Sequence, residues 1–269
     1  MESPMQIAIT CRVSPAIADC ELTYQDRVEI DYDLACRQHQ QYCEALAGLG
    51  CQVLSLPAQA DLPDSVFVED VALVLDEVAI LTRPGVNSRR PEVDLIRPVL
   101  AEYRPLRSIA APGTVEGGDI LQLGKTIYVG LSGRSSPEGI AQLAGLIAPF
   151  GYTVQGVPLT GCLHLKSAVT RAAPDTLLIN PRWVDPARFE AFRLLEVDPA
   201  EPHAANVLLL EGGAIYPSSF PRTLLRLKQS GIPVTLVDVS ELQKAEGAVT
   251  CCSLIVSINK GEGRGRGMG

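Results

Sequence analysis

The chain has 269 residues, 46% of them hydrophobic, with a formal net charge of −8. That is enough apolar material for a sizeable core, in one large domain or two small ones. No basic block or stripe marks a nucleic-acid binder, and no apolar run approaches the length of a membrane span.

The first residues, "MESPMQIAIT", lack the charged start and apolar stretch of a secretory leader. The expected location is therefore the cytoplasm, where the eight cysteines stay reduced. Their spacings contain no CxxC and no zinc-type Cys/His pairing, so no metal site is expected. "QIAITCRVSP" reads as a strand, and "DYDLACRQHQQYCEALAGLG" as a helix with buried thiols at Cys36 and Cys43. His39, in the polar stretch "RQHQQY", reads as a surface residue.

Next comes "SVFVEDVALVLDEVAILTRPGVNSRRPEVDLIRPVLAEY". It predicts a strand over "VFVEDVALVL", a turn at Asp76 and Glu77, a second strand, and a helix with an early proline. The same strand–strand–helix order recurs in "GTVEGGDILQLGKTIYVGLSGRSSPEGIAQLAGLIAPF", "LHLKSAVTRAAPDTLLINPRWVDPARFEAF" and "ANVLLLEGGAIYPSSFPRTLLRLKQSG". "CCSLIVSI" can pair with the first strand and complete a fifth unit. Five units with a period of roughly 40–50 residues suggest a circular or stacked α/β architecture closed by both ends of the chain. An α/β fold with unequal units is the competing reading. The tail Gly261–Gly269 is Gly/Arg-rich, has nothing to bury, and is expected to be disordered.

Three kinds of residue carry possible chemistry. Glu69 and Asp70, Glu116 and Asp119, and Glu211 follow apolar runs at apparently matching points of three units. Buried carboxylates need partners, and a structural ion pair accounts for any one of them more simply than for all three. His164, in the alternating run "CLHLKSAVT", is either a satisfied core histidine or a general acid/base, whereas His203 lies in a loop. In a strand, Cys251 and Cys252 point to opposite faces, so at most one faces a site, and Ser253 shares the face of Cys251. Taken alone, a buried structural thiol pair is the simpler reading. A thiol, an embedded histidine and several acids together suit a thiol hydrolase of a cationic substrate. Arg89 and Arg134, each at a helix entry, could clamp a substrate carboxylate.

"DSVFVEDVALV…AILTRPGVNSRRPEV", "APGTVEGGDIL", "LHLKSAV" and "GAVTCCSL" resemble, in order and spacing, the dimethylarginine dimethylaminohydrolases, relatives of the arginine deiminases. The resemblance runs from about Gln6 to Lys260. It implies a five-bladed pseudo-symmetric ββαβ propeller, the pentein fold, as a single catalytic domain over residues 1–260. It implies Cys251 as nucleophile, in a Cys-x-Ser pattern with Ser253, His164 as general acid/base and Glu116 as its orienting acid. Asp70 would hold the guanidinium, with Glu69 beside it as a structural or secondary contact. Arg89 and Arg134 would meet the α-carboxylate. Asp64 and main-chain carbonyls near Leu22 and Ala245 would meet the α-ammonium. The implied reaction releases dimethylamine or methylamine from methylated arginine to give citrulline, with no cofactor.

Two departures put the substrate in question. Family members often carry Asp where this chain has Glu246, and the lid-like "RVSPAIADCELTYQD" is long and acidic, with Asp19 and Glu21 near the mouth. An arginine deiminase-like hydrolase of another guanidino compound is the alternative. A non-catalytic ring-shaped binding protein is disfavoured by the intact Cys251, His164 and Glu116. The expected partner is a small guanidino substrate rather than nucleic acid or membrane, and a homodimer is compatible with the sequence.

Overall fold

Short β-branched and apolar runs, each broken by a tight turn, build five separate three-stranded sheets. The computed structural model describes residues 4–258. The Gly/Arg-rich tail expected from Gly261 lies outside them. In chain order the elements begin with β1 (Met5–Cys11), α1 (Tyr32–Gly48) and β2 (Gln52–Leu56). The second unit is β3 (Ala72–Val74), β4 (Ala79–Leu81), α2 (Glu92–Ala101) and β5 (Leu106–Ser108). The third is β6 (Ile120–Leu123), β7 (Thr126–Leu131), α3 (Pro137–Ile147) and β8 (Thr153–Pro158). The fourth holds the one-turn α4 (Leu165–Ala168), then β9 (Val169–Ala173), β10 (Thr176–Ile179) and β11 (Arg193–Glu196). The last stretch is β12 (Leu208–Leu210), β13 (Gly213–Pro217), α5 (Pro221–Gln229), β14 (Val234–Val237), α6 (Ser240–Gln243) and β15 (Leu254–Ile258).

Every sheet has the same wiring. Two antiparallel strands form the inner pair, and a third lies parallel to the second. A parallel partner needs a crossover. A helix supplies it in four blades, and in the fourth unit the 3₁₀ turn Pro186–Phe189 replaces the expected helix. The fifth sheet is β15-β1-β2, with Met5 opposite Ile258, so the two ends of the chain close the ring. The architecture is a five-bladed α/β propeller.

Alternation along the strands drives the closure. Ile80 faces one apolar cluster and its neighbours Ala79 and Leu81 the next. Leu177 and Leu178 divide in the same way. Each sheet therefore buries both faces, and five apolar clusters fill the seams between blades. At about 1.5–3 kcal/mol for each fully buried Leu or Ile, these seams are the main cohesion of the ring. The inner strands β3, β6, β9, β12 and β15 line an axial cavity of about 720 Å³. Among the described residues, no helix is long and apolar enough to cross a membrane.

Three expected strands are shorter than the sequence pattern suggests. Residues Val68–Val71 form a 3₁₀ turn ahead of β3. His164 precedes α4 rather than sitting in a strand. Cys251 and Cys252 lie in a turn, and the strand begins only at Leu254. In each case a buried polar side chain takes partners that a flat strand would not reach.

Candidate active site

The segments ahead of the inner strands carry the chemistry at one end of the ring. Glu69 and Asp70 sit on one 3₁₀ turn, which lets two adjacent carboxylates diverge. Asp70 Oδ2 accepts from Arg89 Nη1 at 2.6 Å and its Oδ1 from the Gly118 amide at 2.9 Å. Burial opposes ionisation of Asp70, but the charges of His164 and Arg89 outweigh it and bring its pKa down to about 2. Glu69 turns the other way, to Lys166 and to the Thr250 hydroxyl at 2.8 Å, and lines the axial cavity. Glu69, expected as a structural or secondary contact beside Asp70, lies on the axial cavity and not in the lining of the smaller cavity beside Asp70.

His164 and Glu116 meet at 2.7 Å through Nε2 and Oε2. Arg134 Nη1 reaches the same carboxylate at 3.3 Å and donates through Nη2 to the Thr23 hydroxyl at 2.9 Å. Burial lowers the affinity of His164 for a proton, but the Asp70, Glu116 and Asp119 carboxylates reverse this and raise its pKa to about 9. Glu116 falls below its ordinary range, because its hydrogen bond from His164 overrides burial. Glycine at 118 is required by packing: a Cβ there would stand 2.5 Å from His164 Nδ1 and 2.9 Å from Asp70 Oδ1.

A cavity of about 20 Å³ is lined by Asp64, Asp70, Arg89, Arg134, His164, Ala245 and Cys251, together with Glu21, Phe67, Leu163, Glu246 and Gly247. Glu116 closes it from behind through His164. Burial, then the charges of Glu69 and Asp70, push the Cys251 thiol well above its ordinary pKa. Cys252 is fully buried and donates to the Ala248 carbonyl at 3.4 Å. Ser253 does not share the side of Cys251; its hydroxyl bonds Tyr42 at 2.7 Å and borders the axial cavity.

Asp64 lines the cavity and accepts the Glu21 amide at 3.1 Å. Ala245 lines it as well, whereas Leu22 packs against the neighbouring apolar cluster. Arg89 and Arg134 are both buried, at 4% and 7% exposure. Arg89 is engaged by Asp70 and Glu92, and Arg134 by Glu116. Glu211 does not join the site. It follows its strand instead of preceding it, and lies in the exposed β12–β13 turn; Asn206 holds the corresponding inward position. His39 is buried at 4% exposure, not on the surface.

A lid covers the cavity. The Glu246 carboxylate accepts the amides of Thr23, Tyr24 and Gln25 at 3.0, 2.5 and 2.7 Å. Glu246 holds a left-handed backbone with φ of 57°. Sequence reasoning missed this latch, because nothing in the spacing links residues 23–25 to 246. Phe67 and Leu163 were missed as well; each reads only as another apolar residue beside a charged one. Single ligand atoms of Asp70, Glu116 and His164 lie within 4.8 Å of one another, a spacing open to a metal ion. The guanidinium groups of Arg89 and Arg134 already supply positive charge to these carboxylates.

The arginine deiminase family model matches residues 58–206. The N(G),N(G)-dimethylarginine dimethylaminohydrolase of Streptomyces coelicolor is 39% identical over 255 residues, covering 93% of this chain and 97% of that one. The chain belongs to the dimethylarginine dimethylaminohydrolase family. The family enzyme of Pseudomonas aeruginosa is 37% identical over 83% of this chain and 89% of its own. The structure of a cysteine-to-serine variant of a dimethylarginine dimethylaminohydrolase from that organism, complexed with citrulline, superposes with a TM-score of 0.89 at 33% identity, covering 95% of this chain and all of that one. The N-terminal domain of the cyanobacterial arginine dihydrolase ArgZ superposes at 0.85 with 19% identity, covering 94% of this chain and 98% of that one; this speaks for the shared fold alone.

Proposed function

We propose that the protein is a cysteine-dependent hydrolase of Nω-methylated arginines, converting dimethylarginine or monomethylarginine to citrulline and dimethylamine or methylamine. One observation carries the reading: a thiol, a hydrogen-bonded imidazole–carboxylate pair and a second carboxylate converge on one closed, acidic cavity in a chain of this family.

A guanidinium is cationic and resonance-stabilised, so water attacks it poorly. Asp70 offers it a charge-assisted hydrogen bond away from solvent, while Glu116 holds His164 from behind. The substrate's α-carboxylate is assigned to Arg89 and Arg134, each drawn partly from its present acid, and its α-ammonium to Asp64 and the Ala245 carbonyl. The Cys251 thiol is neutral at ordinary pH because burial, and then the charges of Glu69 and Asp70, raise its pKa. Arrival of the cation offsets those charges and favours the thiolate, the thiol proton leaving to solvent because His164 already carries its own. The sulfur bonds the central carbon and the C–N bond to the alkylamine breaks. His164 carries its proton below about pH 9 and gives it to the departing amine. With Nε2 engaged by Glu116, Nδ1 is the ring nitrogen for this transfer. The neutral imidazole then takes a proton from water as the oxygen attacks; the C–S bond breaks, the remaining hydroxyl proton passes to the leaving sulfur, and the ureido product leaves with the neutral Cys251 thiol and protonated His164 restored. No step uses a metal or organic cofactor. Eight free thiols suit a reducing cytoplasm.

The test is turnover of arginine, monomethylarginine and dimethylarginine by the purified protein, scoring ureido product and released amine. The two methylated substrates should yield citrulline with methylamine or dimethylamine. Ammonia from arginine as the main product would instead favour the deiminase reading. Cys251→Ser should abolish turnover and keep the fold, and Cys252→Ala should remain active; an active Cys251→Ser enzyme overturns the mechanism.

A further inference from the structure

Glu69, Gly117 and Lys166 each stand three residues ahead of an inner strand, and Asn206 and Thr250 occupy the corresponding segments of the other two blades. Together they form one network on the ring axis, on the far side of the site floor from the substrate cavity. Lys166 Nζ donates to the Glu69 carboxylate and, at 3.2 Å, to the Gly117 carbonyl. The Thr250 hydroxyl donates to Glu69 Oε2 at 2.8 Å. Asn206 Nδ2 donates to the Thr250 hydroxyl at 3.0 Å and to the Lys166 carbonyl at 3.1 Å, and its Oδ1 accepts the Thr250 amide at 3.1 Å. The Glu69 amide donates to the Cys251 carbonyl at 3.1 Å.

Each member adjoins a residue of the proposed chemistry. Glu69 precedes Asp70, Gly117 follows Glu116, Lys166 lies two beyond His164, and Thr250 precedes Cys251. Strand pairing holds each blade internally but does not hydrogen-bond one blade's site segment to another's. We propose that Glu69 and Lys166 are positioning residues: an ion pair facing the axial cavity, which through Thr250 and Asn206 fixes the Cys251 turn against the His164 and Asp70 segments. The inference rests on the proposed hydrolase reading. The Lys166 and Glu69 side chains are 17% and 10% exposed, and a largely desolvated ion pair is a costly means of stabilisation that apolar packing often matches, which fits a placement role.

The test separates placement from folding and from substrate identity. Lys166→Met, Lys166→Arg and Thr250→Val are compared with the unaltered protein in three measurements. These are steady-state turnover of dimethylarginine, iodoacetamide labelling of Cys251 without substrate, and thermal unfolding. A misplacement on the scale of 1 Å costs about 100-fold in rate, so Lys166→Met should lower kcat by about 30-fold or more with KM within about threefold. Labelling of Cys251 should slow at least about fivefold, because removing the cation leaves the Glu69 charge beside the thiol unbalanced. Lys166→Arg should recover most of both. Thr250→Val, nearly isosteric and with its folding checked by the same thermal unfolding, should lower kcat in the same sense. A folded Lys166→Met with unchanged kcat and labelling, or a Thr250→Val enzyme with full kcat, overturns the proposal. If the unaltered protein turns over none of the guanidino substrates, the hydrolase reading fails, while slowed labelling restored by Lys166→Arg still supports positioning.

Discussion

Arg89 and Asp70 form a buried ion pair at 2.6 Å, and Glu92 holds the other side of the same guanidinium at 2.8 Å. One arginine thus bridges two buried carboxylates. Removing it leaves Glu92 uncompensated and Asp70 with only His164 and the Gly118 amide, whereas removing Asp70 leaves Arg89 with Glu92. Arg89→Met should cost about 3–5 kcal/mol of stability, and Asp70→Asn distinctly less. Urea unfolding of the two variants checks the order; equal losses would contradict this division of charge.

The raised pKa of His164 makes stability fall with alkalinity. The folded state keeps the imidazolium to about pH 9, while the unfolded chain releases it near 6.5. The stabilisation is complete below 6.5 and is lost as pH rises from there towards 9, to an extent on the order of 2–3 kcal/mol. Asp70 works in the opposite sense: its contribution is complete above 3.8 and disappears as pH falls through about 2. Urea midpoints between pH 6.5 and 7.5, about a unit below ordinary thiol ionisation, should decline for the unaltered protein and stay flatter for His164→Gln.

The cavity of about 20 Å³ holds little more than one water, so the lid must open to admit an amino acid. Its latch is the Glu246 carboxylate on three successive amides. Glu246→Ala should raise KM about tenfold, with kcat within about threefold, since the latch binds no reacting atom. A kcat loss with unchanged KM would show that Glu246 serves the chemistry instead.

Gly118 allows His164 and Asp70 to approach across a bare backbone. Gly118→Ala would put a methyl at 2.5 Å from Nδ1. Displacing the imidazole by this much should cost about 100-fold in kcat. Gly124→Ala is a useful contrast, because a Cβ there meets nothing, although its φ of 64° adds local strain. Its activity should stay near that of the unaltered protein.

The repeat was legible because alternating strands and Gly or Asp turns leave a periodic trace, and the pairing of β15 with β1 followed from it. The site was less legible in its details. His164 reads as a strand residue because "LHLKSAV" alternates, yet a helical turn wins once Asp119 accepts the Leu165 amide at 3.1 Å. Glu211 has the right neighbours but falls on the wrong side of its strand, a shift that composition does not reveal. Strand alternation separates adjacent Glu69 and Asp70, but it does not show which cavity each faces. Their separation depends on Lys166 and Arg89, which lie far off in sequence or behind a turn.

Ring closure by β1 and β15 has a consequence for biosynthesis. Cys251, the proposed nucleophile, stands three residues ahead of the strand that closes the ring. A ribosome-bound chain therefore lacks its reactive thiol until the other four blades have emerged. On the proposed mechanism, competence arrives only with the closing strand, and a nascent chain stalled before residue 251 is chemically inert however well its earlier blades have packed.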